Sequence, residues 1–216
     1  MRILLTNDDG INAPGLQVLE AIARNLTNEE NIFIIAPSGE RSGVGHCVSY
    51  NAPTQIERIS ENRYSVSGYP ADCVIAGIHH IMKDDPPSLI LSGVNRGNNS
   101  AENVLYSGTI GAALEGALQG ITSIALSQYL GPESKKMSNS FNPSITHGLN
   151  VIQKILDNDK HTDGGYKVFY NVNFPPTENI NGVAVVPQGL RPNTTFGVTP
   201  FTCLLYTSPS PRDSNL

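Results

Sequence analysis

The sequence predicts an α/β protein built on a doubly wound, Rossmann-like, mostly parallel sheet with a small antiparallel excursion. Three observations predict it. Short apolar runs such as 2–6 (RILLT) and 31–36 (NIFIIA) alternate with stretches of helical periodicity along most of the chain. The first strand, helix and second strand fit into about 36 residues, a βαβ unit whose crossover is nearly always right-handed and leaves its strands parallel. Polar, Gly-rich loops recur where the strands should end, and open α/β sheets hold their ligand sites at those carboxyl ends.

Taken in order, residues 2–6 form the first strand, which stops abruptly at Asn7-Asp8-Asp9-Gly10. Pro14 suits the first helical position, and Leu16, Leu19, Ala23 and Leu26 follow at near-helical spacing. Residues 31–36 are the second strand, ended by Pro37, and the Gly/Ser-rich loop 37–46 leaves its carboxyl end. Residues 48–50, 54–59 and 63–66 read as short strands separated by turns, the antiparallel excursion. Residues 71–82 (ADCVIAGIHHIM), behind Pro70, have helical periodicity. The strand 88–92 (SLILS) then delivers the loop 93–99 (GVNRGNN). A helix over 107–120, opened by Ser-Gly-Thr, carries many small residues that suit close packing. A strand over 123–127 follows, then a helix over 142–156 with Ile145, Leu149, Ile152 and Leu156 on one face. Late strands are expected at 167–174 and 182–186.

A chain of 216 residues with 39% hydrophobic content can bury a full core, and its 20 Gly and 15 Pro fit a fold of many tight loops. The net charge of -5 argues against a nucleic-acid polymer as partner, since such binders cluster Lys and Arg. No apolar run approaches the roughly 20 residues that span a bilayer, and the start lacks a signal-peptide layout, so a cytoplasmic protein with no membrane partner is expected. Cys47, Cys73 and Cys203 lack zinc or CxxC spacing. From Cys203 onward the chain loses all periodicity, and residues 203–213 resemble the in-frame translation of a sequencing adapter. Residues 203–216 are therefore expected to be foreign to the natural protein.

Polar clusters at the predicted strand ends carry the chemistry: Asp8-Asp9, Arg41-Ser42-Gly43, Asn95, and Ser107-Gly108-Thr109 at a helix start. In a doubly wound sheet these converge on one crevice. Carboxylate, hydroxyl and amide oxygens together suit Mg²⁺ or Mn²⁺, and a helix N-terminus with free N–H groups suits a phosphate. Each cluster has a plainer reading. Asn-Asp-Asp-Gly is also ordinary turn composition. Ser107 or Thr109 could only cap a helix. Ser42 and Asn95 could serve their own loops. His46 could bind phosphate, act as an acid or hold backbone, whereas His79 and His80 are expected to divide, one exposed and one buried.

The motifs TNDDGxxAPG, APSxxRSG, PADC, LSGVNRGxN and YSGTIGAALEG occur in this order over residues 1–201, and together they resemble the SurE family of metal-dependent nucleotidases. The resemblance implies a SurE-like domain over residues 1–202, lacking the family's last portion. It implies one divalent ion per subunit, Mg²⁺ or Mn²⁺, held by Asp8, Asp9, Ser42 and Asn95. Phosphate would lie near Ser107, Gly108 and Thr109, with Gly43 and His46 also on the substrate side. It further implies hydrolysis of 5′- and 3′-nucleoside monophosphates, some action on short polyphosphate, and a homodimer or homotetramer with exchanged C-terminal arms.

In that reading Asp8, Asp9 and Asn95 are the catalytic residues, and the ion is what lets two adjacent carboxylates stay ionised together. A receiver-like signalling domain is the first alternative. It needs a phosphoacceptor Asp after a later strand, where this chain has Gly93. A non-catalytic Rossmann-type nucleotide binder is the second, and the first turn lacks its GxGxxG.

Overall fold

The computed structural model describes residues 1–159 and 165–191. The strands are β1 (Ile3–Thr6), β2 (Ile32–Pro37), β3 (Ile56–Ser60), β4 (Arg63–Val66), β5 (Leu89–Arg96), β6 (Thr122–Gln128) and β7 (Phe169–Phe174). The helices are α1 (Pro14–Ala23), α2 (Pro70–Ala76), α3 (Asn103–Tyr106), α4 (Gly108–Leu118) and α5 (Asn142–Asp157). Among the described residues the strands form one sheet in the order β3-β4-β2-β1-β5-β6-β7. Only the β3–β4 pair is antiparallel.

The alternation of side chains along each central strand explains why this sheet is covered on both faces. Ile3 and Leu5 of β1, Ile32 and Ile34 of β2, and Leu89 and Leu91 of β5 join Leu16 and Leu19 of α1 and Val151 and Ile152 of α5. Leu4, Phe33, Ile35 and Ile90, one step out of phase, pack with Cys73 and Val74 of α2 and Ala112 of α4. Fully burying one such side chain is worth about 1.5–3 kcal/mol, so the uninterrupted apolar strands are the main cohesion of the sheet.

Helix α1 carries the chain from β1 outward to β2, while β5 lies on the other side of β1. The strand order therefore reverses between β1 and β5, and the carboxyl ends of those two strands open onto the crevice. The doubly wound, mostly parallel α/β fold with its antiparallel excursion is as the sequence predicts.

Several elements differ from the expectation. Residues 48–50 are not a strand, because β4 takes the place beside β2 and β3 the outer edge. Residues 182–186 are not a strand either, and Val185 is fully exposed. The strand expected to stop at Ser92 runs on to Arg96, with an irregularity between Ser92 and Asn95 and a cis Gly93–Val94 peptide. The helix expected over 71–82 is α2 followed by a π turn, Gly77–Ile81, in which His79 and His80 are both exposed. The adapter-like tail, 203–216, lies outside the described residues. No helix among the described residues is long and apolar enough to cross a membrane.

Candidate active site

The turn after β1 explains how two aspartates come to face a ligand site. Asn7 closes the turn itself: its Nδ2 donates to the Gly10 carbonyl at 2.9 Å, and the Gly10 N–H donates to Asn7 Oδ1 at 3.2 Å. Asn7 thus does the work that turn composition alone would have given to an Asp, and Asp8 and Asp9 are left for the crevice. The Arg41 N–H donates to the Asp8 carbonyl at 2.7 Å and the Ile11 N–H to the Pro37 carbonyl at 2.8 Å, which stitches the loops after β1 and β2 together. Arg41 in turn donates through Nη2 and Nε to the Ser67 and Gly68 carbonyls at 2.9 and 3.3 Å.

These loops line a cleft of about 850 Å³ that includes Asp8, Asp9, Ser42, Gly43, Asn95 and Ser107. Asp8 is 4% exposed. Burial pushes its carboxyl up to about 6, with the Asp9 charge adding to the rise and the Thr109 hydroxyl and N–H opposing it. Asp9 is raised as well, chiefly by burial and then by Glu40, against the Arg96 N–H and charge. Two neighbouring carboxyls that both resist ionisation form a site that a cation would stabilise.

The donor set fits a hard divalent ion. Ser42 Oγ donates its hydrogen to Glu40 Oε1 at 2.8 Å, which leaves the oxygen lone pairs available and enriches them. Asn95 Nδ2 donates to the Gly97 carbonyl at 3.0 Å, and its Oδ1 accepts nothing among the described residues. Asp9 Oδ2 accepts from the Arg96 N–H at 3.2 Å. Among the described residues no three His, Cys, Asp or Glu side chains form a metal-like group. An ion here would rely on two carboxylates with neutral oxygens, a set that suits Mg²⁺ or Mn²⁺ rather than zinc.

The start of α4 divides its labour in a way spacing could not reveal. Ser107 is the helix N-cap, its Oγ accepting from the Ile110 N–H at 3.1 Å, and it lines the cleft. Thr109 is fully buried, and its Oγ1 donates to Asp8 Oδ1 at 2.7 Å. Its hydroxyl is therefore committed to the carboxylate rather than to a ligand. Gly108 packs directly on Asp8: a Cβ there would meet Asp8 Cβ at 2.9 Å, Pro70 Cγ at 3.0 Å and Val44 Cγ2 at 3.1 Å. His46 is not brought to the cleft. It lines a separate cavity, where its Nε2 bonds Glu115 Oε2 at 2.7 Å.

Sequence reasoning missed other lining residues. Glu40 and Arg96 stood inside quoted motifs, APSxxRSG and LSGVNRGxN, without a role. Phe141 and Tyr106 add aromatic surface to the same wall, and Asn98, Asn99 and Asn103 add amides. The repeated Asn of residues 95–103 was the available signal.

Thr109→Val tests the Asp8 contact. Losing the hydroxyl removes a bond to the charged carboxylate, so the Asp8 pKa rises further and a cation must displace a proton over a wider range. Mn²⁺ affinity measured calorimetrically at pH 6 is expected to fall about tenfold, and the pH midpoint of binding to move upward. An unchanged midpoint would show that the hydroxyl does not govern Asp8.

The comparisons with known proteins place the chain in a family. The family model described as Survival protein SurE matches residues 3–195. A protein of Roseobacter denitrificans named 5′-nucleotidase SurE is 53% identical over 203 residues, which are 93% of this chain and 78% of its own length. One of Jannaschia sp. with the same name is 55% identical over 195 residues, 88% of this chain and 74% of its own. The crystal structure of the Sure protein from Aquifex aeolicus superposes with a TM-score of 0.76 at 34% identity, covering 88% of this chain and 73% of that one. A matching family model over most of the chain, half-identical relatives and a shared sheet architecture lead to one conclusion: this chain belongs to the SurE family.

Proposed function

We infer that the chain is a 5′-nucleotidase, a metal-dependent phosphoric monoester hydrolase that releases phosphate from nucleoside monophosphates. The observation that carries the reading is the pair Asp8 and Asp9, both held above the ordinary carboxylate range at the switch point of the sheet. The relatives named 5′-nucleotidase SurE support the substrate class. One Mg²⁺ or Mn²⁺ per subunit would be held by Asp8, Asp9, Ser42 and Asn95. Bound there, it supplies Lewis acidity and charge to offset the phosphoryl oxygens.

The chain's own residues do the rest. Asp8, fixed by Thr109, and Asp9, fixed by the Arg96 N–H, hold their carboxylates in constant geometry, so no reorganisation is needed as the reaction proceeds. One of them can orient an attacking water while the other serves mainly as ligand. Asn95, Ser107 and Gly43 line the same cleft, so Asn95 would help hold the ion and could also meet the phosphate, which Ser107 and Gly43 would border. With His46 turned to Glu115, the leaving oxygen takes its proton from solvent in the open cleft. Tyr106, exposed at the cleft, offers a surface on which a base can stack, while Phe141 is buried at the same wall.

Action on 3′-nucleotides and short polyphosphate, a cytoplasmic location and a homodimer or homotetramer belong to the same reading. The exposed apolar run of Val183, Val185, Val186 and Leu190 supports an arm that packs on another subunit. The deciding assay is phosphate release from AMP with Mn²⁺, with and without chelator. Release that stops on chelation and returns with added metal is expected. AMP binding without release would make the chain a binder instead.

A further inference from the structure

Resting on the nucleotidase reading, we propose that Arg96 grips the substrate: its guanidinium binds the phosphoryl oxygens that face away from the ion. Arg96 ends β5, paired with Gln128 of β6. Its N–H donates to Asp9 Oδ2 at 3.2 Å, which fixes the residue beside the carboxylate pair. The following residue is held too, the Gly97 N–H donating to the Asn95 and Gln128 carbonyls at 3.1 and 3.0 Å. The backbone is therefore anchored while the side chain lies exposed at the cleft.

What marks this arginine is that the N–H donors of its guanidinium are unused among the described residues, although its charge acts on Asp9. Arg41 is tied to the Ser67 and Gly68 carbonyls, and Arg63 to Glu20 and the Ile11 carbonyl. Arg2 and Arg24 are held in ion pairs with Asp85, and with Glu20 and Glu29. Arg96 has no side-chain hydrogen bond or ion pair among the described residues, and there it is the only Lys or Arg lining the cleft. Its charged neighbours in that lining are Asp8, Asp9 and Glu40.

The charges explain why a phosphate ester would need it. Three carboxylates repel a phosphate dianion, and a divalent ion offsets only part of that repulsion. A guanidinium adds both the remaining positive charge and two parallel N–H donors, which match two phosphoryl oxygens. The phosphate carries its charge in the ground state as well as in the transition state, so this grip should act mainly on binding. The competing account makes Arg96 only an electrostatic neighbour of Asp9. Such a neighbour repels the ion, and its removal would tighten Mn²⁺ binding without touching phosphate.

The test uses Arg96→Gln and Arg96→Lys in the full chain, with melting temperatures to confirm folding. Inorganic phosphate is titrated into the Mn²⁺-loaded protein, Mn²⁺ is titrated into the metal-free protein, and kcat and KM are measured for AMP. Arg96→Gln is expected to weaken phosphate binding and raise KM about 10- to 100-fold, with kcat changed by about threefold or less and Mn²⁺ binding not weakened. Arg96→Lys should recover part of the phosphate affinity, because an ammonium supplies charge without the fork. Phosphate affinity and KM both within about twofold of the parent in Arg96→Gln would overturn the proposal, as would a loss traced wholly to weaker Mn²⁺ binding. Arg96-dependent phosphate binding in a protein that releases nothing from AMP would sustain this inference and remove the nucleotidase reading. Robust AMP hydrolysis with no Arg96 dependence would do the reverse.

Discussion

Asp8→Asn is expected to lower metal-dependent phosphate release by about a thousandfold or more and, at the same time, to make the metal-free protein more stable above neutral pH. The two effects have one cause. Asp8 is 4% exposed and its carboxyl is raised from 3.8 to about 6, mainly by burial. A carboxyl raised by folding contributes stability below its unfolded pKa and loses it as pH rises through the folded value. In the metal-free protein the ionised form therefore costs about 3 kcal/mol at pH 8, the equivalent of roughly two pKa units. Asparagine stays neutral, and its Oδ1 can still accept from Thr109.

The stability gap between Asp8→Asn and the parent should open between about pH 4 and 6 and stay level above that. It is read by thermal melts in chelator. Adding Mn²⁺ at pH 8 should then raise the melting temperature of the parent and leave the variant nearly unmoved. A variant that melts lower than the parent without metal, or that still releases phosphate at a near-parental rate, would remove Asp8 from the centre of the site.

Gly93→Ala is expected to carry a large loss of stability for the addition of a single methyl group. Gly93 lies within β5 at φ 135°, a conformation that side-chain-bearing residues rarely adopt. A Cβ there would collide with the carbonyl oxygen of Leu126 on β6 and come within 3.1 Å of the Asn95 nitrogen. Both obstacles are backbone in the middle of the sheet, so neither can swing aside as a flexible side chain could. Backbone strain and overpacking together should cost about 2–6 kcal/mol, against a total stability of about 5–15 kcal/mol for a typical domain. The urea midpoint should fall accordingly, and any folded fraction should bind Mn²⁺ more weakly because Asn95 and the backbone N–H of Arg96 that holds Asp9 follow directly on the disturbed strand. An unchanged midpoint would mean that β5 and β6 can separate locally at no cost.

Much of the architecture was legible because it depends on local pattern. Strands such as 2–6 and 31–36 are runs of apolar residues with no competing period, and Pro14 and Ser107 mark helix starts directly. Residues 48–50 misled because a β-like composition does not say whether a partner strand is free. In the structure Ser49 is held instead by Asp72, through its N–H at 2.9 Å and its hydroxyl at 2.8 Å. Residues 182–186 have strand-like composition, but no described strand pairs with them. His46 shows the same limit at a single residue. Gly111 of α4 has no side chain, so the loop at Gly45 and His46 packs onto it, and the ring meets Glu115 one helical turn further on.

By itself the sequence determined the parallel α/β fold, and it placed Asp8 and Asp9 at the end of a strand and Ser42, Asn95 and Ser107 at the ends of others. Those facts follow from periodicity and from the rule that open sheets present their loops on one edge. Only the tertiary structure decided what each group does there. It assigned Asn7 to the turn, Thr109 to Asp8, His46 to Glu115 and a place in the cleft to Arg96. The reason is physical: desolvation and side-chain direction are set by neighbours brought from far along the chain. Thr109 and Asp8 are 101 residues apart in sequence, and 2.7 Å apart in space.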